Sequence, residues 1–384
     1  MTEHDKRERP LTPTLHGAAA RVGKHPGMIV RQAEPFNAGP PLKLLCQSLV
    51  TPTELFFVRS HGAIPRVHAA DYRLEISRAN QAPVRLSLAD LQDSFPQVTV
   101  PATLQCAGNR RDELMVARPI AGELAWGADA LSHAQWSGVR LGDVLLRAGL
   151  DPDPGSRRHV VFVGLDETDR LGRRINFGGS IPLAKALGPE VILAHTMNGR
   201  PLLPAHGFPL RVVVPGYIGA RSVKWLQRIA VREQPSTNYF QSRAYKLFPP
   251  QVSAADVIWE AGLMLGETSL NSVICSPAEN ERLPASHVTV QGYVVGDARH
   301  PVVRVDVSAN GGLTWAEAEL TGAAQPWTWR LWQVCIHLEP GRHALVVRAV
   351  DAAGNTQPSD PLQVWNFKGY MNNAWHRVNL EICP

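Results

Sequence analysis

The Pro249-Pro250 pair in LFPPQ (247–251) separates two stretches that cannot run into each other as one helix or one central strand. Each proline lacks an N–H, fixes φ at about −65° and pushes the residue before it out of the helical region, so the pair reads as a linker. Beyond it, helical spacing fades and short apolar runs lie between turn clusters. In VVRVDVSANGG (302–312), Val303, Val305 and Val307 fall on one face ahead of the Asn310-Gly311 turn. In RLWQVCIHL (330–338), Trp332, Val334, Ile336 and Leu338 alternate with polar or small residues, and HALVVRAVDAAGN (343–355) repeats the pattern. Strands at this spacing predict an all-β immunoglobulin-like sandwich over 247–384.

Ahead of the linker the pattern is mixed. HVVFVGLD (159–166) and FPLRVVVPG (208–216) read as buried strands, whereas LGDVLLRAGL (141–150) has helical spacing that stops at Gly149. Residues 28–246 are therefore expected to form a mixed α/β domain, and the chain as a whole is α+β. A length of 384 residues accommodates two domains. Residues 1–27 are polar and without period, which predicts an N-terminal arm with no assigned structure.

Composition narrows the function. With 44% apolar and 19% charged residues the chain is that of a globular protein. The net charge of +5 comes from 39 Lys and Arg spread along the sequence without a basic run, which favours small anionic ligands over nucleic acid. No apolar run approaches membrane-spanning length and the first 28 residues lack an apolar signal core. The expectation is a soluble protein with no membrane partner, cytoplasmic as given and periplasmic if a signal was removed ahead of residue 1. Five cysteines (Cys46, Cys106, Cys275, Cys335, Cys383) show no C-x-x-C pair and no framework spacing, so neither a zinc site nor a disulfide scaffold is expected.

One cysteine stands apart. TLQCAGNRRDEL (103–114) sets Cys106 between a strand-like run and a tight turn, with Arg110 and Arg111 behind it. A thiol there could be a small buried hydrophobe, a nucleophile served by one of 14 histidines, or a metal-binding thiolate favoured by nearby positive charge. Basic residues recur at similar junctions in FFVRSH (56–61), LPAHGFPLR (203–211) and GARSVKW (219–225). Together they suggest a site for a highly anionic ligand, held by arginine forks and a lysine. Walker and G-x-G-x-x-G patterns are absent, which disfavours the ordinary nucleotide folds.

LQCAGNRR (104–111), HGFPLRVVVPGYIGARSVKWL (206–226) and NNAWHRV (372–378) resemble, in order and spacing, the signatures of the sulfite oxidase family of molybdenum enzymes. The likeness runs from about residue 40 to the C-terminus and is nearest to haem-free bacterial sulfite oxidases and dehydrogenases. That family joins a molybdopterin-binding domain to an immunoglobulin-like dimerisation domain, which implies a homodimer. The resemblance implies Mo-molybdopterin as cofactor, with Cys106 as the protein's metal ligand. Phe57, Val58, Arg59, Ser60, His61, Asp166, His206, Arg211, Ser222, Val223 and Lys224 match positions that hold the cofactor. Arg59, Arg111, Trp126 and Tyr245 match positions around the substrate, sulfite. Lys368 departs from the family: sulfite oxidases commonly have arginine there and nitrate reductases methionine, so a cation is kept without the bidentate fork.

The implied reaction is oxidation of sulfite to sulfate by oxygen-atom transfer, a step of sulfur metabolism. There is no C-x-x-C-H motif and no room for a haem or flavin domain, so no haem and no flavin are expected. Electrons then pass to an external acceptor, a cytochrome c or oxygen. The alternative within the family is a nitrate reductase molybdenum domain, or a member acting on another oxyanion or a sulfoxide; Tyr245 and Lys368 speak against nitrate.

Overall fold

The strand Gln97–Gln105 ends one residue before Cys106 and pairs antiparallel along its whole length with Leu131–Arg140. The computed structural model describes residues 17–78, 81–153, 155–284, 287–296 and 299–384. Leu131–Arg140 continues the sheet to Ile192–Met197, which pairs in turn with Arg200–Pro201 and with Arg211–Val213. A second five-stranded sheet has the order Gln81–Ser87, Arg73–Arg78, Leu226–Arg232, His159–Arg170, Arg173–Pro182. It is mixed, because Leu226–Arg232 runs parallel to Arg73–Arg78 and antiparallel to His159–Arg170.

Helices are short in this half of the chain; the longest among the described residues are Arg111–Ala117 and Leu141–Arg147, at seven residues each. The second turns its apolar face inward through Leu141, Val144 and Leu145, and Gly149 follows at φ 86°, a conformation costly for any residue with a Cβ. The two expected buried strands are present within His159–Arg170 and Arg211–Val213. Phe56, Phe57, Trp126, Trp136 and Cys106 share one buried apolar cluster on a face of the first sheet. Each large side chain so buried contributes on the order of 2–3 kcal/mol, which makes this a firm floor for the loops above it.

Past the linker the chain forms a sandwich. One sheet runs Asn271–Ser276, His287–Val295, Arg330–His337, Glu319–Thr321; the other runs Glu281–Leu283, His376–Ile382, Gly341–Asp351, Val302–Ser308, Ala316–Glu317. Trp332, Val305, Val307, Leu345, Val347 and Leu380 fill the space between them. One residue of the expected inward face is wrong. The ladder between Val302–Ser308 and Gly341–Asp351 shifts register between Val302 and Arg304, so Val302 is buried and Val303 faces solvent.

Two further expectations are corrected. Residues 17–27 are part of the fold: the short helix Ala18–Arg21 buries Ala18 and Ala19, and Lys24 is buried as well. The first 16 residues of the expected arm lie outside the described residues. Cys46 and Cys275 form a disulfide between residues 229 apart in sequence, at the end of the helix Leu42–Leu45 and in the sandwich strand Asn271–Ser276. No local spacing signals such a pair, because only the tertiary fold brings its members together. Among the described residues no helix is long and apolar enough to cross a membrane.

Candidate active site

Cys106 opens a turn whose every residue is tied down. Its N–H donates to the Ala130 carbonyl (2.9 Å), its carbonyl accepts from Asn109 N (3.0 Å), and Gly108 N–H points at its sulfur (3.4 Å). Asn109 accepts from Ala130 N at 3.0 Å and donates to the Tyr293 hydroxyl at 3.1 Å. At Arg110 the backbone turns left-handed (φ 64°), which sends its side chain away from that of Arg111. Arg110 is fully buried, forks onto Glu113 (2.7 Å twice) and also reaches the sandwich strand at Asn271. General electrostatic support of a ligand at Cys106 is thus not its task; it bolts the turn to the second half of the chain.

The free sulfur of Cys106 lines a partly enclosed cavity. The residues around it come from four separate stretches: Phe57 to His61, Asp166, His206 with Arg211, and Ser222 with Lys224, closed by Tyr245. Three of these are the basic junctions singled out in the sequence, and the fold brings them together with Asp166. A register shift between Val163 and Glu167 re-aims the strand at Asp166, where a Cβ on Gly164 would collide with the Asp166 carboxylate at 2.7 Å.

The cations are held by backbone carbonyls and by hydroxyls. Arg211 donates to His206 O and Ser222 O at 3.0 Å each and lies over the Trp136 ring at 4.8 Å. Lys224 donates to Ser60 Oγ (2.8 Å) and Ala205 O (3.0 Å). Arg59 donates to Asn37 Oδ1 (3.1 Å) and to its neighbour's carbonyl, while Asn37 also accepts from Ser60 N and donates to Ser60 O. Burial, then the neighbouring Arg211, holds the Lys224 ammonium well below the usual lysine range; burial alone raises Asp166, against the pull of Lys224. A region with this much positive charge and one carboxylate is electrostatically incomplete.

Tyr245 follows a five-residue π turn, Phe240–Ala244, an element frequent where a side chain must be re-aimed. Its hydroxyl is 2.8 Å from His61 Nε2, and Arg59 Nη2 is 3.1 Å from His61 Nδ1. Burial, together with Arg59 and other cations, keeps the His61 pKa well below its ordinary value, so the ring is neutral. A guanidinium can only donate, which makes Nδ1 the acceptor and places the ring proton on Nε2. The imidazole then donates to the phenol oxygen, and the phenol hydrogen is left to donate elsewhere. Burial raises the Tyr245 pKa, so that hydrogen is retained.

Arg111, Trp126, Val223 and Lys368 lie outside the cavity lining. Val223 is a core residue whose carbonyl accepts from Val212 N. Trp126 is fully buried in the Cys106 cluster, its Nε1 without a partner and Arg31 over its ring at 4.8 Å. Arg111 lies over Tyr370 at 5.0 Å, and Tyr370 stacks on Tyr245 with centroids 5.4 Å apart. Lys368 pairs with Glu123, which Arg111 also meets at 3.5 Å. Lys24, Asn37, Glu123 and Tyr370 belong to this neighbourhood and carry no sequence signal. Lys24 reaches His206 Nε2 at 2.9 Å from a segment 182 residues away.

The chain matches the model of the oxidoreductase molybdopterin-binding domain over residues 61–240 and that of the Mo-co oxidoreductase dimerisation domain over 264–383. It is 43% identical over 378 residues to sulfite oxidase from Gallus gallus, covering 96% of this chain and 82% of that one. This chain belongs to the sulfite oxidase family. Within that family it is 38% identical over 377 residues to the sulfite oxidase of Arabidopsis thaliana, covering 94% and 95% of the two chains. Its fold matches the crystal structure of the sulfane dehydrogenase SoxCD from Paracoccus pantotrophus with a TM-score of 0.77 and 25% identity, over all of this chain and 96% of that one. The cavity suits a family member's molybdopterin. Two of its buried polar atoms, Asp166 Oδ1 and Arg211 Nε, have no partner within the protein, and one acceptor and one donor of this kind fit a polar, anionic heterocycle.

Proposed function

We propose that this protein oxidises sulfite to sulfate, with water supplying the oxygen atom overall and two protons and two electrons released. The observation that carries the reading is that Cys106, Arg59 and Tyr245 share one cavity with an anion-binding set of His206, Arg211, Ser222 and Lys224. The molybdenum cofactor, when bound, supplies the oxygen-atom and two-electron chemistry. Cys106 is the protein ligand to the metal, suited to it as a soft thiolate. His206, Arg211, Ser222 and Lys224 hold the cofactor's phosphate, and Asp166 offers an acceptor oxygen to its ring N–H groups. Phe57, Val58, Ser60 and His61, with Val223 acting through its backbone, complete the cradle.

On the substrate side, Arg59, Arg111 and Lys368 offset the charge of the dianion, and Trp126 backs the pocket from the buried cluster around Cys106. Tyr245 donates its hydroxyl hydrogen to a substrate oxygen, held in place by the neutral His61. Electrons leave to an external acceptor, a cytochrome c or oxygen. Residues 28–246 form the molybdopterin-binding domain, and residues 247–384 pair two copies into a homodimer.

The test is to measure molybdenum per chain and ferricyanide reduction by sulfite. Metal near one per chain with sulfite-dependent reduction is the expected result. Cofactor-supplied protein that carries no molybdenum overturns the reading, and metal-loaded protein that ignores sulfite but oxidises reduced dyes with nitrate replaces it with nitrate reduction.

A further inference from the structure

Two cations assigned to the substrate already have an anion. Glu123 Oε2 lies 3.5 Å from Arg111 Nη1, and Glu123 Oε1 pairs with Lys368 Nζ. All three side chains are largely out of solvent, with 3% of Arg111, 18% of Lys368 and 16% of Glu123 exposed, so solvent and salt screen the carboxylate only weakly. Its field also reaches further in: Glu123 is among the charges that raise both the Tyr245 and the Tyr370 hydroxyl pKa.

Arg111 is fixed independently of the anion. Arg111 is anchored by three backbone acceptors, Lys368 O (3.0 Å), Gly369 O (3.2 Å) and Leu124 O (2.9 Å). Its position therefore survives the loss of Glu123. Glu123 follows the exposed Ala121 and Gly122 on a surface turn, with Gly122 at φ 75° and nothing within 4 Å of where its Cβ would be. A carboxylate on such a turn can leave its partners without disturbing packed core.

We propose that Glu123 is a built-in competitor for the substrate anion. Resting on the sulfite-oxidising reading above, the inference is that Glu123 spans Arg111 and Lys368 in the free enzyme, and an incoming oxyanion exchanges for it. The exchange keeps both cations compensated at every stage, and it weakens binding of sulfite and of the product sulfate alike. A carboxylate that returns to the cations also helps sulfate leave. Because the competitor carries one charge, the site favours dianions over monoanions.

The experiment uses cofactor-loaded protein and two readouts, sulfate affinity by titration calorimetry and steady-state sulfite oxidation. Glu123→Gln should bind sulfate about tenfold more tightly and lower the sulfite KM to a similar degree, with kcat changed less than KM. Glu123→Asp keeps the charge and should stay within about threefold of the parent on the same scale. Sulfate affinity in Glu123→Gln that is unchanged or weaker, in folded protein, overturns the proposal. Should Glu123→Gln fail to fold, Glu123→Asp with sulfate affinity as tight as that expected for a neutral residue overturns it as well. The calorimetric result does not need turnover: protein without sulfite oxidation but with the sulfate shift refutes the activity and supports the competitor, and the converse refutes the competitor alone.

Discussion

Arg110 Nη1 donates to Asn271 Oδ1 at 2.7 Å, joining the cysteine turn to the first strand of the sandwich. The same turn receives Asn372 Nδ2 on the Arg110 carbonyl (2.9 Å), and His376 accepts from Ile274 N (3.2 Å) nearby. The family-like NNAWHRV stretch is therefore a brace for the site, contributed by the far end of the chain. Arg110→Ala leaves Glu113 and Asn271 facing a buried void, and loss of one partner of such a pair costs about 3 kcal/mol. A thermal midpoint lower by several degrees is expected, with a fall in molybdenum retained per chain. A midpoint equal to the parent's would show that the brace carries no load.

Tyr245→Phe removes the one hydroxyl that the Arg59–His61 pair orients. The ring can stay stacked on Tyr370, so the fold should be unaffected. A positioned proton donor contributes about 100-fold or more, and kcat should fall by about that factor with a smaller change in KM. Steady-state kinetics decides this; kcat within about threefold of the parent would remove Tyr245 from proton handling.

Cys106→Ser exchanges sulfur for oxygen in a turn whose contact to that side chain, from Gly108 N–H, a hydroxyl can also accept. Turnover should vanish while the thermal midpoint stays close to the parent's. Full activity in the variant would exclude Cys106 as the metal ligand.

How far the sequence could be read differs between residues for a physical reason. Cys106, His206, Arg211 and Lys224 lie near strand ends in short stretches punctuated by glycine or proline, which announce loops, and the fold gathers them. Arg110 and Arg111 are adjacent and chemically identical; a left-handed φ at Arg110 separates a brace to the sandwich from a side chain laid over Tyr370. Lys24, Asn37 and Glu123 act across 182, 22 and 245 residues on His206, Arg59 and Lys368, contacts without any local pattern. Val303 was misplaced by a bulge, since one inserted residue inverts the inward and outward faces without changing composition.

Buried histidines set the acid response. Burial holds the His133 and His376 pKa values down to about 4; for His376, Glu113 opposes this and Arg110 adds to it. The unfolded chain takes up the proton near the ordinary value of about 6.5, ahead of the folded one, so each histidine costs stability as pH falls from about 6.5 towards 4. For a shift of this size the full cost is on the order of 3 kcal/mol. Asp112 and Asp166 act in the opposite sense, because burial raises both to about 6 and the folded state protonates them first. The bulk midpoint therefore mixes signs, and the clean measurement is a difference between proteins. His376→Asn keeps an acceptor for Ile274 N–H but cannot charge. Its stability deficit should be largest near pH 8 and shrink between pH 6.5 and 4.5 in thermal melts. A deficit that stays constant across that window would mean that His376 does not titrate in the folded protein below its ordinary range.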